Sequence, residues 1–166
     1  MKQIIFLSLV SILLISATIY RLAPGSGTVV DDSKIHWYSI EEALAEHQKT
    51  NKKIFIDMYT DWCGWCKVMD KKTFTDPNVI RYLNEHFIAV KFNAEQPDPV
   101  LFNGRTYQYM PVGRRGVHGL AYELLDQRAS YPSFVLLSEN LTRIGIIKGY
   151  KAPEPFLTLM EEHLTL

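Results

Sequence analysis

The chain has 166 residues, of which 47% are hydrophobic, 12% aromatic and 22% charged. That length suits one domain with a sizeable core plus an appendage. Its 18 basic and 18 acidic side chains cancel, and the lysines and arginines are scattered. The clustered basic surface that holds nucleic acid is therefore missing, and no nucleic-acid partner is expected.

Residues 4–20 are nearly all apolar, with Ser8, Ser11, Ser16 and Thr18 as small polar members. The stretch sits at the lower edge of a spanning helix and slightly exceeds the apolar part of a typical export signal. Residues 1–20 therefore read as a signal peptide or an N-terminal membrane anchor. Ser16-Ala17 and Leu22-Ala23 offer small residues for cleavage without deciding between the two. No cysteine follows the stretch, so a lipoprotein acylation site is excluded. Residues 21–34, with Pro24-Gly25-Ser26-Gly27 and Asp31-Asp32-Ser33, read as a linker. A folded domain is expected over 35–166, exported to the periplasm or the outer face of a membrane.

Within that domain Ser39 and Glu42 form the sequence signature of a capping box, opening a helix that runs to about Lys49. A strand is predicted over 53–59, from its β-branched and aromatic residues. A helix follows from Cys63 through Asp70 and Lys71. Asp76 and Pro77 start another, on which Val79, Ile80, Leu83 and Phe87 recur at helical spacing. Apolar strands are predicted over 87–92, 133–138 and 143–148. The short turn at Glu139-Asn140 makes the last two an antiparallel hairpin. A closing helix over 153–164 carries Phe156, Leu157, Leu159, Met160 and Leu164. This order implies an α/β domain with a mixed sheet and helices on both faces. Residues 95–119 break the rhythm with Pro97, Pro99, Pro111 and four glycines. They read as an inserted loop with a small hairpin at Asn103-Gly104. Connections of this length are commonly functional or disordered, and Phe102, Tyr107 and Tyr109 argue against disorder.

The only two cysteines lie in Trp62-Cys63-Gly64-Trp65-Cys66-Lys67, where the predicted strand meets the predicted helix. A cysteine at a helix N-terminus has its thiolate stabilised by unpaired N–H groups and the positive end of the macrodipole. Cys63 holds that place and would form a mixed disulfide. Cys66, one turn later and expected to be more buried, would resolve it. Trp62 and Trp65 would flank the thiol with flat apolar surface suited to an extended polypeptide. Three other readings fit less well. Zinc needs further ligands, and His36, His47, His86, His118 and His163 are dispersed surface or core histidines. A purely structural disulfide of this spacing constrains little of the unfolded chain. Inert buried thiols are not expected between two tryptophans at a helix start.

Residues Ile56 to Lys67 resemble the active-site strand and turn of the thioredoxin superfamily. Ala89-Val90-Lys91-Phe92-Asn93 is similar to its next strand, Tyr131-Pro132-Ser133-Phe134 to its cis-proline loop, and Lys148-Gly149-Tyr150 to the glycine after its last hairpin strand. Lys72 to Pro77 is closest to the C-terminal thioredoxin-like domain of DsbD, a periplasmic thiol reductant, and to small exported thioredoxin-like proteins. The resemblance spans roughly 35–164 and implies a thioredoxin fold with the insertion placed before the cis-proline strand. It implies that Asp57 lies beneath Cys66 as a proton acceptor, raised by desolvation, with Lys91 as its ion-pair partner. It also implies that Tyr131 and cis-Pro132 present a backbone edge to substrate. Trp65 departs from the proline common at that position, so redox poise cannot be transferred. The insertion is expected to form a wall or lid beside Cys63, with Tyr107, Tyr109, Arg114 and Arg115 contributing to partner choice.

The resulting expectation is a protein-disulfide oxidoreductase, acting as a reductase. Disulfide-bearing proteins would be its substrates, a redox partner would turn it over, and no bound cofactor or metal is needed. An oxidase or isomerase, and a non-enzymatic peptide-binding module, are the alternatives the sequence leaves open.

Overall fold

A computed structural model describes residues 33–112 and 114–164. The signal or anchor at 1–20, and all of the linker except Ser33 and Lys34, lie outside the described residues. Among the described residues no helix is long and apolar enough to cross a membrane.

The order is β1 (Trp37–Tyr38), α1 (Ile40–Thr50), β2 (Lys53–Tyr59), α2 (Gly64–Lys72), α3 (Pro77–His86) and β3 (Phe87–Asn93). An insertion carries β4 (Val100–Phe102), β5 (Arg105–Tyr107), β6 (Tyr109–Met110) and β7 (Val117–His118). Then come α4 (Gly119–Leu124), β8 (Ser133–Leu137), β9 (Arg143–Lys148) and α5 (Pro153–Leu164).

Helix starts follow local chemistry. Ser39 Oγ accepts from the Glu42 N–H at 3.2 Å while Glu42 Oε2 accepts from the Ser39 N–H at 2.8 Å, completing the capping box. Asp76 caps α3 by accepting from the N–H groups of Asn78 and Val79, with Pro77 in the first turn where its missing donor costs nothing.

The main sheet has order β1-β3-β2-β8-β9. β2 and β3 run parallel, whereas β8 runs antiparallel to β2 and β9 antiparallel to β8. The centre of β2 is buried on both sides, from Ile54 to Met58. Alternation along it separates two cores. Ile54, Ile56 and Met58 pack with Ile88, Val90, Phe92 and Val135 under α1, α4 and the insertion. Phe55 packs with Phe134, Met69, Leu83 and Phe156 under α2, α3 and α5. Asp57, two residues beyond Phe55, points to this second face, and the β2–β3 register sets it opposite Lys91.

Two features differ from the sequence reading. Cys63 is the N-cap of α2 rather than its first residue, with φ −71° and ψ 102°. The insertion is ordered as two hairpins, and its end passes directly into α4. The β4–β5 turn at Asn103-Gly104 has φ of +48° and +76°. Two consecutive left-handed residues are what a two-residue hairpin turn needs, and Asn-Gly supplies them at low cost. His118 caps α4, its Nδ1 accepting from the Leu120 N–H at 3.2 Å and its Nε2 donating to the Asp98 carbonyl at 3.1 Å. That histidine is fully buried, and desolvation holds its imidazole below the usual value against the opposing pull of the Asp98 carbonyl.

Candidate active site

Strand β2 ends at Tyr59, and a tight turn carries the chain into α2, closed by the Cys63 N–H donating to the Thr60 carbonyl at 3.1 Å. Cys63 and Cys66 are joined in a disulfide. As N-cap, Cys63 Sγ accepts from the Cys66 N–H at 3.1 Å. The same donors and the helix dipole are available to a Cys63 thiolate once the bond is reduced. The expected difference in burial is small in the oxidised pair, with exposures of 4% for Cys63 and 3% for Cys66. Position at the helix end, rather than exposure, distinguishes the two sulfurs.

The rim around the pair is aromatic. Trp62 and Trp65 are 50% and 61% exposed, so neither is a core side chain. Trp65 lies 5.4 Å from the Tyr150 ring, on the segment after β9. Trp62 Nε1 donates to both carboxylate oxygens of Glu95, at 2.9 and 3.0 Å, and the indole meets Tyr131 edge-on at 6.1 Å. Burial, reinforced by Glu95, pushes the Tyr131 phenol up to about 12, so it stays protonated.

The Tyr131–Pro132 peptide bond is cis. Because β8 is antiparallel to β2, its first residue, Ser133, pairs with Met58 near the end of β2 that feeds Cys63. This topology brings Pro132, remote in sequence, to the cysteine turn. The Gly149 N–H donates to the Pro132 carbonyl at 2.9 Å, and Ser133 Oγ donates to the Ser130 carbonyl at 2.7 Å, fixing the loop from both sides.

On the second core face of β2, Asp57 is buried and its Oδ2 lies 3.0 Å from Lys91 Nζ. Lys91 also pairs with Asp70, four residues after Cys66 on α2. Its ammonium lies 4.9 Å from the Trp37 ring, 5.4 Å from Tyr59 and 5.5 Å from Phe74, a largely aromatic enclosure. Burial alone would lower Lys91, but the two carboxylates outweigh it and keep it above its ordinary value. For Asp57 burial wins over the attraction of Lys91, and the carboxyl is raised from 3.8 to about 6. Its Oδ1 makes no hydrogen bond among the described residues, which leaves an atom able to take up a proton.

That shift has a consequence for stability. The unfolded carboxyl titrates near 3.8 and the folded one near 6, so folding takes up a proton between those values. The contribution to stability is complete below the lower value and lost as pH rises through the upper one. Asp57→Asn is therefore expected to gain about 3 kcal/mol over the wild type at mildly alkaline pH, the gain vanishing below about pH 4. Urea unfolding across that range checks it; parallel curves for the two proteins would show that Asp57 does not titrate this way.

The insertion contributes unevenly. Tyr107 is in the core and donates to Glu123 at 2.7 Å, so it lies away from the cysteines. Tyr109 donates to the Arg115 carbonyl. Arg115 stacks 5.0 Å above Trp62, and with Arg114 it lines a depression shared with Trp62 and Tyr131. Asp70, Glu95 and Tyr150 were not anticipated as neighbours of the site. For Asp70 a signal exists, since i,i+4 spacing from Cys66 places both on one helix side. Among the described residues no group of three or more His, Cys, Asp or Glu side chains could hold a metal ion.

A five-stranded mixed sheet, a disulfide capping a helix at the end of its central strand, and a facing cis-proline define a thioredoxin-like protein. Solved structures agree on the fold. A thioredoxin from Thermus thermophilus superposes with a TM-score of 0.58 at 21% identity, covering 78% of this chain and 86% of that one. A DsbH oxidoreductase gives 0.57 at 16% identity, covering 89% and 99%. Residues 28–142 match the model of the Thioredox_DsbH family, described as a protein of unknown function, DUF255, and the chain belongs to that family. Among curated relatives, spermatogenesis-associated protein 20 of Mus musculus is 36% identical over 66 residues, 39% of this chain and 8% of the relative. Thiol:disulfide interchange protein DsbD 1 of Pseudomonas aeruginosa is 33% identical over 60 residues, 36% of this chain and 10% of the relative. The matched part is thus a tenth or less of each of these longer proteins.

Proposed function

We propose that this protein is a thiol–disulfide oxidoreductase that reduces disulfides of protein substrates outside the cytoplasm. The observation that carries the reading is the Cys63–Cys66 pair at the N-terminus of α2, with the loop of the cis Tyr131–Pro132 bond brought to the same turn by the β2–β8 register and the Trp62–Tyr131 contact. In the reduced protein, the Cys63 thiolate attacks one sulfur of a substrate disulfide, and the other substrate sulfur leaves as a thiolate. Asp57 accepts the Cys66 proton, and Cys66 then attacks Cys63 Sγ. The second substrate thiolate leaves, and the protein is left with its internal disulfide. Lys91 is a positioning residue in this scheme, holding Asp57 through Oδ2. Two electrons from a dithiol redox partner restore the thiols. Tyr131 and Pro132 offer the backbone edge for an extended substrate, flanked by Trp62 and Trp65. The resemblance of Lys72 to Pro77 to the DsbD reductant supports the reducing direction, and the apolar stretch at 4–20 supports export, whether cleaved or kept as an anchor.

The test is trapping. Cys66→Ala is expected to accumulate mixed disulfides on Cys63 that mass spectrometry resolves into partner proteins, and no trapped partner would sink the enzyme reading in favour of a peptide-binding module. A reduction potential near about −120 mV, rather than about −270 mV, would replace reductase by oxidase.

A further inference from the structure

Between the cysteine turn and the cis-proline loop, at Trp62 and Tyr131, lies a depression of about 350 Å³ whose walls come from three separate parts of the chain. Trp62 supplies the side nearest Cys63, Tyr131 the side nearest Pro132, and Val112, Arg114 and Arg115 of the insertion the outer wall. Trp62 is held in place by Glu95 and Tyr131, so the wall shared with the cysteine turn is already oriented. The outer wall is anchored at Gly116. Gly116 has φ +71°, and a Cβ there would lie 2.1 Å from Tyr109 Oη. Only glycine lets the chain turn that closely around the tyrosine that holds the Arg115 carbonyl.

The lining of this depression carries two guanidinium groups and one carboxylate, a positive balance. Arg114 and Arg115 are both exposed, and neither has a carboxylate within ion-pair distance among the described residues. Glu95, the one acidic residue in the lining, is engaged by the Trp62 indole through both oxygens. A ligand here meets two guanidinium groups that lack a carboxylate partner, that of Arg115 stacked over Trp62, above an aromatic and aliphatic floor. Two of its lining residues, Trp62 and Tyr131, immediately precede Cys63 and Pro132, so the depression borders both the cysteine turn and the cis-proline loop. Side chains of an extended polypeptide project on alternate sides, so one close to the substrate cysteine can enter while its backbone follows the cis-proline edge.

We propose that this depression is a specificity subsite for an aspartate or glutamate close in sequence to the partner's reactive cysteine. The inference rests on the oxidoreductase reading and adds to it the charge class of the partner. Electrostatic complementarity of this kind acts mainly on encounter rate and discrimination among partners.

The experiment uses the full chain, pre-reduced, and short peptides carrying one cysteine as a mixed disulfide with the neutral thiol N-acetylcysteamine. The residue flanking the cysteine is Glu, Gln or Lys, and hydroxyethyl disulfide serves as an uncharged small substrate. The Glu peptide should be reduced about tenfold faster than the Lys peptide at low ionic strength, with Gln between them and the ratio shrinking in high salt. In the Arg114→Glu/Arg115→Glu variant the order should invert. Equal rates for Glu and Lys peptides, alongside normal reduction of hydroxyethyl disulfide, would overturn the subsite and leave the oxidoreductase reading standing. So would a Glu preference that survives the double reversal. Failure to reduce even hydroxyethyl disulfide would overturn the proposed function and the subsite with it.

Discussion

Cys63→Ser is expected to abolish disulfide exchange, by more than about 10³-fold, while leaving the domain folded. The two halves of this prediction come from one position. Cys63 is the N-cap of α2, and its sulfur accepts from the Cys66 N–H. Serine is among the preferred N-cap residues and its oxygen takes over that hydrogen bond, so the helix keeps its start. A serine hydroxyl is nevertheless a poor nucleophile at neutral pH without an adjacent base, and it cannot form a mixed disulfide at all. Stability should fall only by the loss of the crosslink, at most about 2 kcal/mol for so short a loop. Against the reduced wild type the variant should unfold within about 1 kcal/mol. Insulin reduction and urea unfolding measure the two halves. Retained exchange would mean that Cys63 is not the attacking sulfur, and gross unfolding would mean that the sulfur serves the fold more than the chemistry.

The parts of this structure that were legible in the sequence are those whose signal is local. The apolar run at 53–59, the Ser39–Glu42 box and the Asp76-Pro77 start each carry their cause within a few residues. The Asn103-Gly104 hairpin was legible for the same reason. Two-residue β1 and six-residue α4 are too short to show a period, and their stability comes from partners elsewhere, β3 for the first and the buried cap of His118 for the second. At the site, the cysteine pair stood out by its spacing, and the Tyr131-Pro132 dipeptide by its resemblance to the thioredoxin superfamily. The second carboxylate on Lys91, the grip of Glu95 on Trp62 and the stacking of Arg115 over the same ring did not. These contacts join residues 21, 33 and 53 positions apart, and only the parallel β2–β3 register and the course of the insertion bring them together. Sequence spacing predicts neighbours along one element; it says little about neighbours across a sheet or between loops.

Phe55→Ala is expected to cost roughly 3–5 kcal/mol, a large part of the stability of a domain this size. Phe55 is fully buried at the centre of β2 and touches rings from five directions. It stacks on Phe134 at 5.7 Å and meets Phe74, Phe87 and Phe156 edge-on at 5.8–6.4 Å, with Trp37 tilted at 6.3 Å. Removing the ring deletes its transfer free energy and the pairwise aromatic contacts, and rings held this tightly by one another cannot collapse into the gap. Phe55→Leu retains most of the volume and should cost much less, about 1–2 kcal/mol. The same substitution reaches the chemistry. Asp57 lies two residues on, along the same face of β2, and its cross-strand partner is Phe134. The carboxyl is raised chiefly because this face is dry. A cavity beside Phe134 that admits water would relax that burial and return Asp57 toward its ordinary value, so stability should become less sensitive to pH between about 4 and 6 in Phe55→Ala than in the wild type. Urea titrations of wild type, Phe55→Leu and Phe55→Ala across that range measure both effects. A loss below about 1 kcal/mol for Phe55→Ala would show that the aromatic cluster is not what holds β2 to its helices.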